Sequence, residues 1–154
     1  MSDLKKKIRE DLTTSMKARD KDTTGTLRML LSALTQEETT GAKHELTDED
    51  VLRVIAREIK KRRESAEIYT QNGREELADV ELKEASILEA YQPAQLSDEE
   101  LDALIDDSIA EISQATGEEV TMKHMGQVMK AATGKAAGQV DGKRLSTAVK
   151  RRLS

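Results

Sequence analysis

Tyr91-Gln92-Pro93-Ala94-Gln95-Leu96-Ser97-Asp98-Glu99-Glu100-Leu101 contains the chain's single proline. A residue that precedes proline is pushed out of the α region, so a helix running through Tyr91 stops before Pro93. Four residues later Ser97 and Glu100 have the spacing of a capping box, and Leu96 and Leu101 stand where a hydrophobic staple would join them. One helix therefore ends here and another begins. A length of 154 residues suits one compact domain or two small ones; the shift of charge along the chain favours two, and the stop at Pro93 divides them into an N-terminal helical domain over 1–92 and a C-terminal domain over 93–154.

Upstream, aliphatic residues recur at helical spacing. Ser2 is placed to cap a helix with the stripe Leu4, Ile8, Leu12 and Met16. After Asp22-Thr23-Thr24, a broader face of Leu27, Leu30, Leu31 and Leu34 predicts a second helix that fades into Thr39-Thr40-Gly41. Thr47 opens a long third helix, with Asp48, Glu49 and Asp50 in its first turn and Val51, Leu52, Ile55, Ile59, Ala66 and Tyr69 along one face. Gln71-Asn72-Gly73 ends it, and a fourth helix from Arg74 carries Leu77, Val80, Ile87, Leu88 and Tyr91.

Downstream of the capping box, Leu101, Leu104, Ile105, Ile109 and Ile112 form a stripe that ends at Gly117. A short sixth helix follows Thr121 with Met122, Met125, Val128 and Met129, and a seventh follows Asp141 with Leu145, Ala148, Val149 and Leu153. Gly134, Gly138 and Gly142 mark a linker between these two. No segment alternates with the period of a strand. The expected fold is all-α, four helices and then three.

Composition narrows the function. Leu, Ile and Val number 31, Phe and Trp are absent, and Tyr69 and Tyr91 are the only aromatics, so the core is modest and rests on periodicity. There is no cysteine, which excludes disulfides and thiolate chemistry. No apolar run reaches a membrane-spanning length, and the polar start Met1-Ser2-Asp3-Leu4-Lys5-Lys6-Lys7 lacks the apolar stretch of a secretory signal, so a cytoplasmic location is expected. Charge is unevenly distributed. Residues 120–154 carry +7, residues 74–119 carry −13 and the whole chain −5; a basic end punctuated by glycine suits a polyanion.

No motif supports catalysis or a metal. His44 and His124 are far apart, without Cys or the spacing of a zinc site. The acids Asp98, Glu99, Glu100, Asp102, Asp106 and Asp107 suit the start of a helix and a solvated face better than paired catalytic carboxylates. Gly138-Gln139-Val140-Asp141-Gly142-Lys143-Arg144 is one residue short of a phosphate loop and has Arg144 where Ser or Thr should bind magnesium. A helix start behind these glycines can still accept a phosphate on its N–H groups, although Asp141 as N-cap would occupy one donor.

Lys60-Lys61-Arg62-Arg63 fans over a full helical turn. With Glu64, Glu67 and Glu58 four residues away it reads as a solvated, self-paired face. Met122, Met125 and Met129 share a helical face and read as core. With so few aromatics, stacking on splayed bases is disfavoured. RNA, if bound, is read through the backbone of a folded molecule.

Taken in order, Leu27-Arg28-Met29-Leu30, Leu46-Thr47-Asp48-Glu49, Arg62-Arg63-Glu64-Ser65, Gly73-Arg74-Glu75-Glu76-Leu77, Tyr91 to Ser97, Met125-Gly126-Gln127-Val128-Met129 and Gly138-Gln139-Val140-Asp141-Gly142 resemble the GatB/YqeY family in its stand-alone YqeY-like form. The resemblance covers essentially the whole chain. It implies an all-helical fold whose three-helix C-terminal subdomain is shared with the tail of the B subunit of the tRNA-dependent amidotransferase. It also implies a non-catalytic accessory role, without cofactor, in which this subdomain holds tRNA or another folded RNA in connection with amide transfer or aminoacyl-tRNA synthesis.

By position, the matching motif residues are Met125, Gly126, Val128, Met129, Gly138, Asp141 and Gly142. The chain departs from the family at Gln139, where an Arg is common, and at Thr133-Gly134, where a Met-Pro pair is common. The cations expected to touch phosphate are Lys123, Lys130, Lys135, Lys143, Arg144, Lys150 and Arg151. A different reading is an adaptor that docks on a synthetase or amidotransferase through the acidic middle of the chain. Glutamine-dependent carbon–nitrogen ligation follows from the family association alone, since the catalytic part of the B subunit is replaced here by the N-terminal helices.

Overall fold

The computed structural model describes residues 1–154. It is all-helical and divides into two compact units, Met1–Gln92 and Pro93–Ser154. The first holds α1 (Asp3–Lys17), α2 (Lys21–Thr39), α3 (Asp48–Gln71) and α4 (Glu75–Glu89); the second holds α5 (Asp98–Thr116), a 3-10 turn (Met122–His124), α6 (Met125–Ala136) and α7 (Gly142–Leu153).

In the first unit α1 pairs with α2 and α3 with α4. Ile8, Leu27, Leu30, Leu34, Val51, Ile55 and Leu88 are fully enclosed, each contributing about 1.5 to 3 kcal/mol relative to exposure. α2 begins earlier than its apolar face implies. Arg19 takes a left-handed φ of 57°, and Asp20 then caps the helix by accepting the Thr23 N–H at 3.2 Å and the Thr23 hydroxyl at 2.7 Å. Asp22, Thr23 and Thr24 thus lie inside the helix, not before it. The Thr23 hydroxyl, ahead of the backbone bond, holds the Asp20 carboxyl below its ordinary range. Thr47 and Asp50 cap α3 reciprocally.

The basic run on α3 is not uniformly solvated. Arg62 is buried, with Nε 2.9 Å from Glu84 on α4 and Nη1 3.5 Å from Glu58 one turn back. Arg63 reaches Glu89 across the hairpin instead of Glu67. The reason is tertiary: α4 supplies acids that the spacing within α3 does not reveal. At the end of the unit the Tyr91 hydroxyl donates to Asp11 at 2.6 Å. Burial first, then that bond, push the phenol above its ordinary value.

In the second unit Ser97 accepts the Glu100 N–H at 3.1 Å and Glu100 accepts the Ser97 N–H at 3.1 Å, so the capping box is present. Leu101 and Ile105 of α5 meet Val128 and Ala132 of α6 and Leu145, Ala148 and Val149 of α7, with Leu96 against the same core. Gly117 ends α5 at φ 68°. Gly134 and Gly142 are helical, inside α6 and at the first position of α7. Only Gly138, at φ 82° after Ala137 at 46°, makes the turn between them. Met125 and Met129 pack on the core, whereas Met122 is exposed because its turn is 3-10 and precedes α6.

Candidate nucleic-acid interface

α7 holds five of the unit's eight cations, and its two sides treat them differently. Leu145, Ala148 and Val149 face the core. At 100° per residue, Lys143, Thr147 and Lys150 fall on the opposite ridge, all exposed, with the two lysines about 10 Å apart along the axis. Neither lysine has a carboxylate within 4.0 Å.

The arginines point the other way, toward an acidic stripe on α5 formed by Asp98, Asp102 and Asp106. Arg144 Nη2 lies 2.9 Å from Asp98, Arg151 4.0 Å from Asp102 and Arg152 2.5 Å from Asp106. The pairs advance in the same order on both helices, so α5 and α7 run parallel. Arg144 is also bound to the backbone, donating through Nη1 to the Leu96 carbonyl at 2.8 Å. Its guanidinium is thus engaged in holding the entry to α5 beside the start of α7.

The remaining expected cations lie elsewhere in the unit. Lys123 stands 3.5 Å from Glu118, sharing it with His124 Nε2 at 3.4 Å. His124 is buried and accepts the Thr121 N–H on Nδ1 at 3.1 Å, so its ring closes a turn. Lys135 of α6 meets Glu111 of α5 at 2.6 Å. Lys130, one turn earlier on α6, is exposed and has no such partner. Four of the seven cations therefore answer acids of their own unit, and Lys130, Lys143 and Lys150 do not.

The α7 N-terminus is partly occupied. Asp141 Oδ1 accepts the Arg144 N–H at 2.8 Å, leaving fewer of the first N–H groups for a phosphate. The motif residues have mainly local work: Val128 is enclosed, Met125 and Met129 pack beside it, Gly138 supplies the turn, Asp141 caps α7 and Gly142 opens it, while Gly126 is exposed in the first turn of α6. No three His, Cys, Asp or Glu side chains converge to hold a metal ion. No helix is long and apolar enough to cross a membrane.

Thr147, an uncharged residue between two lysines, carries no charge signal in the sequence; only its place in an i, i+4, i+7 series with them sets it on their ridge. The acidic stripe is marked in the same way, since Asp98, Asp102 and Asp106 repeat every four residues.

The fold and this terminal unit define an all-helical, two-unit protein with an α7 ridge of unpaired lysines. The profile of the Yqey-like protein family matches residues 5–153, and the chain belongs to that family. It is 37% identical over 90 residues to an uncharacterized protein of Schizosaccharomyces pombe, covering 58% of this chain and 72% of that one. It is 30% identical over 110 residues to the mitochondrial protein named altered inheritance of mitochondria protein 41 of Kluyveromyces lactis, covering 70% of this chain and 60% of that one.

Proposed function

We propose that this chain is a non-catalytic accessory module that binds folded RNA, tRNA in the first instance, through phosphate contacts on the outer ridge of α7. The observation that carries the reading is the unpaired state of Lys143 and Lys150, exposed on one ridge with Thr147 between them. Lysines that satisfy no internal carboxylate gain most from a polyanion, because no existing pair has to be broken. Arg151, 74% exposed and at 4.0 Å the most loosely held of the three arginines, is the paired cation most readily released to a third contact.

The second unit contains ten acids against eight bases, so its net charge does not attract RNA. Attraction comes from the local field of the ridge, while α5 bears most of the acids. This predicts weak, salt-sensitive binding that positions a backbone without reading bases. The link to amide transfer or aminoacyl-tRNA synthesis rests on the family resemblance, and the proposed cytoplasmic location rests on the polar N-terminal sequence. The name of the K. lactis relative supplies mitochondria as the competing compartment, which fractionation resolves.

The test is a titration of the full chain with total tRNA at several salt concentrations. Replacing Lys143 and Lys150 by Ala should weaken binding and lower the salt slope by about 2. Unchanged affinity and slope would sink the proposal. Incubation with glutamine and misacylated tRNA should yield no amidated product from the purified chain; product formation would overturn the non-catalytic part alone.

A further inference from the structure

We infer that the groove between α5 and α6 is a docking site for an acidic amphipathic helix of a partner protein. Ile112 of α5 and Gln127, Lys130, Ala131, Gly134 and Lys135 of α6 line it, and the two lysines give this otherwise mostly apolar lining its positive charge. From Gln127 to Lys135 it follows α6 for about 12 Å, the length of two helical turns. The two observations that define the occupant are the absence of a side chain at position 134 and the charge of the two lysines.

Gly134 lies inside α6, where glycine is the poorest helix former apart from proline. A Cβ added there would meet no atom within 4 Å, so nothing within the fold requires the glycine. Its effect is to leave the groove bare at that point for an incoming aliphatic side chain. Of the lysines, Lys135 is shared with Glu111 at 2.6 Å, while Lys130 has no carboxylate partner. An occupant that brings apolar side chains one turn apart, flanked by carboxylates, satisfies both the apolar lining and the free lysine. A nucleic acid satisfies only the lysines: both tyrosines belong to the first unit, and no aromatic residue of the second unit offers a base a stacking surface.

The probe is a synthetic peptide of about 16 residues, long enough to populate a helix, rich in Ala and Glu with two Leu four positions apart. Titrated into the isotope-labelled full chain, it should shift the backbone amides of Ile112, Gln127, Ala131 and Gly134 saturably. The same peptide with Ser for Leu, or Lys for Glu, should leave them in place. Gly134→Leu, which fills the groove from an unobstructed position, should weaken binding by at least about tenfold, and Lys130→Glu, on an exposed side chain that leaves the fold untouched, should do the same. No saturable shift at millimolar peptide, an equal response to the Lys peptide, or displacement of these amides by tRNA at lower concentration than by peptide would each overturn the assignment.

Discussion

Arg152 of α7 lays its guanidinium along the Asp106 carboxylate of α5, Nε to Oδ1 at 2.6 Å and Nη2 to Oδ2 at 2.5 Å. The buried Leu145, Ala148 and Val149 set the rotation of α7, and the fork closes on α5 at its last turn. Lys143 and Lys150 are held outward by that packing.

On the proposed function, releasing Arg152 should add a cation to the α7 surface offered to RNA. Asp106→Asn is expected to strengthen tRNA binding at low salt and steepen its salt dependence, with the gain vanishing at high salt. Filter binding of the variant against wild type measures it, and weaker binding would show that the pair is needed to orient α7.

Arg144 and Lys143 should separate stability from binding. Arg144→Ala removes bonds to the Leu96 carbonyl and Asp98 and should destabilise the second unit by about 1 to 2 kcal/mol in urea titration. Lys143→Ala removes no internal bond and should leave the urea midpoint in place while weakening tRNA binding.

The α5 capping box predicts a response to acid. Ser97→Ala should cost about 1 kcal/mol. The Ser97 N–H holds the Glu100 carboxyl below its ordinary value, so the part of the box that Glu100 supplies is fully present above the ordinary carboxyl range. It is lost as pH falls through the depressed folded value, where the unfolded chain already binds the proton more tightly. Circular dichroism from pH 6 to pH 3 should show part of this loss abolished in Glu100→Gln, which keeps an acceptor but does not titrate; an unchanged acid profile would exclude Glu100 as a contributor.

Arg62 should be the costliest single charge to delete in the first unit. Arg62→Ala leaves Glu58 and Glu84, with side chains only 12% and 22% exposed, without their cation, and is expected to destabilise by about 3 to 5 kcal/mol. Arg62→Ala combined with Glu84→Gln should recover part of this, and a strictly additive double variant in thermal melts would show that the three charges are not coupled.

Local chemistry made the helices legible. Ser97 with Glu100, Thr47 with Asp50 and Gly117 after Ile112 act within a single turn, and each works in the fold as its spacing implies. Less legible was everything that depends on a partner distant in the chain. Arg62 reads as surface until α4 brings Glu84 to it, and Arg144 reads as a free cation until the folded unit sets it against Leu96. Gly134 was placed in a linker on its residue type, although α6 continues through it because flanking Ala132 and Ala136 are enclosed. In the site, total charge is visible in the sequence, but which lysines are spare depends on pairs up to 49 residues apart.

The hydrogen bond from Leu96 N–H to the Gln139 carbonyl, at 2.9 Å, bears on the order of events during synthesis. The chain emerges from its N-terminus, so residues 1–92 have all their core partners before α5 is made. α5 is then exposed with Leu101, Ile105 and its aspartates until Gln139, Arg144 and Leu145 follow. During that interval only Val128 and Ala132 of α6 can cover Leu101 and Ile105, and Asp98, Asp102 and Asp106 still lack their arginine partners. Pausing translation between α5 and α7 should leave the first unit resistant to protease and the second open to it.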